Sequence, residues 1–209
     1  MGIFGAGGPP KPRRSFDGKN GVKIIKGEEK QLLTALNQLA DVEVLVGFPE
    51  SGAGRDPGVD GEGGEITNAA LAYIHDNGAP EQNIPARPFM LPGIESVQKQ
   101  LNAKLKQVGA AATRAGSPSN LVEVGLTQVG LIAQLGIQRY INSGVEPPLS
   151  DRTLQARARR QRGGKSAKAE LAARKRGEAP SASGAKPLID TTQMRDAVTY
   201  VIRSRKRRK

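Results

Sequence analysis

His75 is the one imidazole in 209 residues, and no cysteine accompanies it. Those two facts remove most site chemistry. Thiolate nucleophiles, disulfides and Cys-containing metal centres are excluded, and no HExxH or Cys/His spacing offers a zinc site. A Ser/His/Asp triad would need His75 as its base, yet no GxSxG elbow presents a nucleophile. A single histidine at the end of an amphipathic helix reads as a hydrogen-bonded packing residue. Asp56, Asp60, Glu62 and Glu65 lack the DxDxDG regularity of a calcium loop and read as a solvated loop. The glycines at 5–8 and 51–65 do not follow a strand and open a helix, so neither group is a phosphate cradle. The chain is expected to be non-enzymatic, with no cofactor and no metal.

The remaining chemistry is charge. Residues 1–150 hold 14 Lys/Arg against 15 Asp/Glu, a net of −1, while residues 151–209 hold 18 against 5, a net of +13. So lopsided a field attracts polyanions or an acidic protein surface. Ten of the 25 positions 152–176 are basic, as are six of the last seven. Arg157, Arg159, Arg160, Arg162, Lys165 and Lys168, with Arg205, Lys206, Arg207, Arg208 and Lys209, are the candidates for phosphate contact or for an acidic partner. No aromatic interleaves with them, which argues against a base-stacking module.

Apolar residues make up 37% of the chain, and Gly and Pro number 26 and 14, so one modest core with long irregular segments is expected. No apolar run approaches the roughly 20 residues of a membrane span, and no membrane association is expected. Residues 1–21 read as an extended arm, 22–203 as a single α+β domain, and 204–209 as a basic tail. Leu32, Leu33, Leu36 and Leu39 mark a helix over 28–40. Val42, Val44 and Val46 alternate along a strand. A flexible loop follows at 51–65, then a helix from Thr67 to about Asp76. Four prolines predict an extended 79–93.

Ile94, Val97, Leu101, Leu105, Val108 and Ala112 predict a helix over 93–113, and Val122, Leu126, Val129, Ala133 and Ile137 a second over 121–142, widened by Leu121, Ile132 and Leu135. Gly125, Gly130 and Gly136 inside the latter imply close packing of another element. Beyond a short helix within 151–162, residues 157–186 read as a flexible loop. Asp190 with Thr191 or Thr192 then caps one helical turn, and Val198, Tyr200 and Ile202 alternate as a second strand. Two strands are too few for an independent sheet. Either further strands lie in 79–92 or 22–26, or neighbouring subunits complete the sheet.

Four short elements stand in order: Tyr73-Ile74-His75-Asp76-Asn77-Gly78, Ile84-Pro85-Ala86-Arg87-Pro88-Phe89, Pro148-Leu149-Ser150-Asp151-Arg152-Thr153 and Pro187-Leu188-Ile189-Asp190-Thr191 with Arg195 beyond. With the VGFP strand before them, they resemble the phage virion-morphogenesis proteins of the tail-completion or neck type, over residues 28–203. The departures are Asn77, where an aromatic is often found, and a long basic insertion at 157–186. The resemblance implies a small sheet flanked by helices in a ring-forming subunit. The implied ring is hexameric, sits at the head–tail junction or tail end of a tailed phage, and surrounds the DNA channel. Implied partners are the chain itself, adjacent neck, tail-tube or sheath proteins, and non-specific contact with genomic DNA. The implied location is the virion, after synthesis in the host cytoplasm. Tyr73, His75, Arg87, Phe89, Asp190 and Arg195 are the expected assembly-interface residues, with Asp76 or Asp190 expected to pair with Arg87 within a subunit or across an interface. The alternative is a free, sequence-independent nucleic-acid-binding protein.

Overall fold

A computed structural model describes residues 33–34, 36–37, 39–49, 66–113, 120–160 and 164–205. Helical positions at 33, 34, 36, 37, 39 and 40 lead into strand β1, Val42–Gly47. Then follow helices α1 (Asn68–Asn77), α2 (Met90–Glu95), α3 (Gln98–Thr113) and α4 (Asn120–Ser143). Helices α5 (Asp151–Ala158), α6 (Gly164–Lys175) and α7 (Gln193–Asp196) precede strand β2, Thr199–Ser204. The fold class is mixed helix and strand, as expected. The arm 1–21, the loop 51–65 and the segment 22–26 lie outside the described residues.

β1 and β2 pair antiparallel, from Val42 opposite Ser204 to Gly47 opposite Thr199. Both strands pack on α4. Alternation explains the two faces: Val46 packs against the core, whereas Leu45 and its partner Val201 are exposed. No third strand comes from 79–92, where only an isolated Ala79–Ile84 bridge closes the Pro80–Gln82 turn.

α4 is the spine. Leu126, Val129, Ala133, Ile137 and Ile141 are buried along it, and Ile137 and Ile141 join Phe89, Val145, Leu188, Met194 and Val198 in the main core. The three glycines do what their spacing implied. A Cβ on Gly125 would enter Val108 of α3, one on Gly130 the Tyr200 ring of β2, and one on Gly136 would lie 2.6 Å from Val97. By length and composition alone α4 could cross a membrane, which corrects the expectation that no stretch approaches a span. In this fold its small-residue face is covered by α2, α3 and β2.

Several expectations are corrected. Helix 93–113 is two helices, interrupted at Ser96 and Val97. The extended run ends at Phe89, because α2 starts at Met90 with Pro92 in its first turn, where a missing N–H costs nothing. Leu105, Leu121 and Leu135 are exposed rather than part of the core stripes. Residues 157–186 are not a loop: they contain α6, and Ala167 of α6 packs with Leu149, Leu154 and Ala185 in a second cluster. The fully buried residue that α6 contributes is an alanine, which is why a large-residue pattern did not announce the helix.

Two glycines test this packing in opposite directions. A Cβ on Gly93 of α2 would lie 2.7 Å from the backbone Cα of Ile137, which cannot rotate away. Gly93→Ala should lower unfolding stability by about 1–3 kcal/mol despite its better helix propensity. Gly109 of α3 has nothing within 4 Å of its Cβ position. Gly109→Ala should raise stability by up to about 1 kcal/mol. Urea denaturation of both variants checks the pair.

Candidate functional site

The four sequence elements converge through backbone contacts rather than through a catalytic group. Thr67 accepts from the Ala70 N–H and starts α1. Gly78 ends it at φ +80°, and a Cβ there would lie 2.7 Å from the Ala86 nitrogen. Only glycine allows the returning strand-like segment to come so close. Arg87 N–H then donates to the His75 carbonyl (2.7 Å), fixing that segment along the end of α1. Asp76 sits beside the turn, and its carboxylate accepts from the N–H groups of Phe89 (2.8 Å) and Met90 (3.1 Å). It therefore caps α2 from 13 residues away, satisfying donors that a helix start leaves free.

Arg87 is 5% exposed and takes no carboxylate among the described residues. Its Nε donates to the Pro147 carbonyl (2.8 Å) and its Nη2 to that of Pro148 (3.2 Å). This corrects the expected pairing with Asp76 or Asp190 within the subunit. The Glu146–Pro147 peptide within the held segment is cis. Arg157 makes an equivalent clamp on the next segment. Its Nη1 donates to the carbonyls of Lys186 (2.9 Å) and Ile189 (3.2 Å), and its Nη2 to that of Pro187 (2.9 Å). Burial lowers the pKa of both guanidiniums from the ordinary arginine value. For Arg87 the charge of Arg157 lowers it further while Glu146 opposes; for Arg157, Asp190 opposes and Arg160 lowers it further. A planar fork of donors suits this work, since two or three carbonyls of an extended segment point the same way.

Between the clamps, Ser150 caps α5, accepting from the Thr153 N–H and bonding its hydroxyl (2.9 Å). Leu149 before the cap and Leu154 on the first turn join the same buried cluster, a hydrophobic staple. Asp190 does not cap α7. Its carboxylate bonds Arg160 (2.7 Å) and lies 3.6 Å from Arg157 Nε. Thr192 occupies the cap position at φ +66° without a side-chain bond.

The expected assembly residues divide accordingly. Phe89 is fully buried, edge-on to Phe48 with ring centres 6.3 Å apart, so it belongs to the core and not to a surface. Arg87 and His75 serve the internal scaffold just described. Arg195 is partly exposed, bonding Asp196 and Asn142. Tyr73, 71% exposed, is the candidate that stands in solvent. Among the basic candidates, Arg157 is an internal clamp and Arg160 holds Asp190. Arg159, Lys165, Lys168 and Arg205 are exposed, and Arg162 and Lys206–Lys209 lie outside the described residues. Lys165, Lys168 and Lys175 share the outer face of α6, while Ala167 and Glu170 face inward. Glu170 accepts from Arg174 (3.0 Å) and from the Ser181 N–H (2.9 Å), tying α6 to the chain that follows it.

Sequence reasoning missed three things here: the Arg157 clamp, hidden in a run of basic residues; the Asp76 cap, which acts at long range; and an exposed apolar stripe on α4. That stripe consists of Leu121, Val124, Leu131 and Leu135. Spacings of 3, 7 and 4 place them on one side of the helix, so the helical pattern was visible while its outward direction was not. Comparison with family models, curated proteins and solved structures gives no match to the chain.

Arg87→Ala should cost about 2–4 kcal/mol, because two charge-assisted bonds disappear from a buried position. Arg87→Lys should recover less than half of that, since an ammonium cannot reproduce the fork. Chemical denaturation measures both; a loss under about 1 kcal/mol for Arg87→Ala would contradict the clamp's structural weight.

Proposed function

We propose that this chain is a structural subunit of a tailed-phage particle, assembling into a ring at the head–tail junction or tail end around the DNA channel. One observation carries the reading: the four recurrent elements that resemble that family are occupied in holding the scaffold together. Chemistry-bearing side chains such as Asp76, Arg87 and Asp190 are engaged by a cap, a clamp and an ion pair. What stands outside is surface suited to partners, namely the apolar stripe of α4 and the exposed Leu45–Val201 pair. Contiguous exposed apolar residues of this kind mark interaction surfaces.

A second reading, a free nucleic-acid-binding protein, draws on the Lys165, Lys168 and Lys175 stripe together with the +12 net charge. Within a ring, the same stripe would meet DNA or an acidic neighbour.

Light scattering coupled to size exclusion, with negative-stain imaging, separates the two. The ring reading expects particles of six times the 22.1 kDa chain mass with sixfold symmetry. A species that stays at 22.1 kDa at every concentration, and binds duplex DNA with a steep salt slope, would favour the second reading.

A further inference from the structure

Among the described residues the sheet has two strands and therefore two open edges. Arg205 N–H donates to the Asp41 carbonyl, and these two residues continue the strand register. In an antiparallel ladder, bonded pairs alternate with non-bonded ones. The pairs 41/205, 43/203, 45/201 and 47/199 are thus the bonded set. The backbone N–H and C=O groups of Val42, Val44 and Val46 consequently point away from β2, and those of Tyr200, Ile202 and Ser204 away from β1. Among the described residues, no backbone group bonds to either outer edge. α4 packs on one face of the sheet.

Soluble proteins ordinarily protect such edges with lysine, proline, bulges or a covering element. Here the ladder is regular over six residues in each strand, with no proline or lysine. Leu45 and Val201, 40% and 43% exposed, form an apolar pair on the outer face. Beside them Glu43 and Arg203 bond at 2.6 Å. A second copy placing its β1 beside β2 would continue the antiparallel order. It would also set each Arg203 between two Glu43 carboxylates, which is the charge complementarity that selects another copy as occupant.

Resting on the reading of the chain as a self-assembling subunit, we infer that the free edge of β2 pairs with the free edge of β1 of a second copy, head to tail. Repeated, a heterologous contact of this kind closes into a ring when the rotation per subunit allows.

Proline at an outward-pointing position removes an edge donor without removing a bond inside the subunit. Val44→Pro blocks the β1 edge and Ile202→Pro the β2 edge. Circular dichroism verifies folding, and Val42→Pro, at the first residue of the strand, is the milder block if Val44→Pro fails to fold. Masses are read by light scattering. The expected result is an assembled wild type, a monomer for each variant alone, and a one-to-one dimer when the two variants are mixed. That dimer forms because one chain then offers only a β2 edge and the other only a β1 edge. Folded variants that assemble like the wild type overturn the inference while leaving the ring reading standing. Val44→Pro chains that dimerise alone overturn the head-to-tail arrangement in favour of like-with-like pairing. A wild type that stays monomeric overturns the ring reading and this inference together.

Discussion

Close approach to α4 turns a two-stranded ribbon into part of a fold. A lone hairpin-sized sheet is at best marginal in water. Here 151 residues lie between β1 and β2, Gly47 pairing across to Thr199 with no short turn to hold them. The helix provides the template. Its glycines let Tyr200, Val97 and Val108 settle against backbone, and Gln138 reaches the carbonyls of Arg195 and Val198 just before β2 begins. Each glycine costs about 1 kcal/mol in helix propensity, a loss offset by the apolar area that the close contact removes from water.

The irregular segments need a different solution. Residues 84–89, 145–150 and 185–190 carry five prolines and little regular hydrogen bonding. Their carbonyls would be left without donors wherever they are covered. Arg87 and Arg157 meet that need, each fanning donors over consecutive carbonyls. Burial strips both cations of hydration and lowers their basicity, so they persist only where the hydrogen bonds are well made. Motifs built around such clamps are structural in the strict sense. They explain why arginine and proline recur together here without implying a reaction.

Much of this was legible before any coordinates. Valine alternation gave β1, Thr67 gave the start of α1, and the glycine-bearing apolar stripe gave α4 with its close contacts. The expectation of a sheet too small to stand alone also matched what formed among the described residues. The failures have common physical roots. α6 escapes a sequence reading because its buried face is alanine and an ion-paired glutamate rather than leucine. Asp190 and Arg87 were matched with each other or with a cap by chemical type, whereas the fold gave the arginine to carbonyls and the aspartate to Arg160. The motif points Phe89 to a surface, whereas its size favours the core in which it is buried. Which apolar side of a helix faces out, as with Leu131 and Leu135, is decided by tertiary neighbours that periodicity does not contain.

Amide-resolved hydrogen exchange along the two strands reads the central claim, that the sheet is complete only between copies. In dilute, dissociated protein, the N–H groups of Glu43, Leu45 and Val201 should be protected while those of Val44, Tyr200 and Ile202 exchange freely. On concentration into the assembled state, the second set should become protected as well. Alternating protection that is unchanged by assembly, or uniform protection already present in the monomer, would contradict the account.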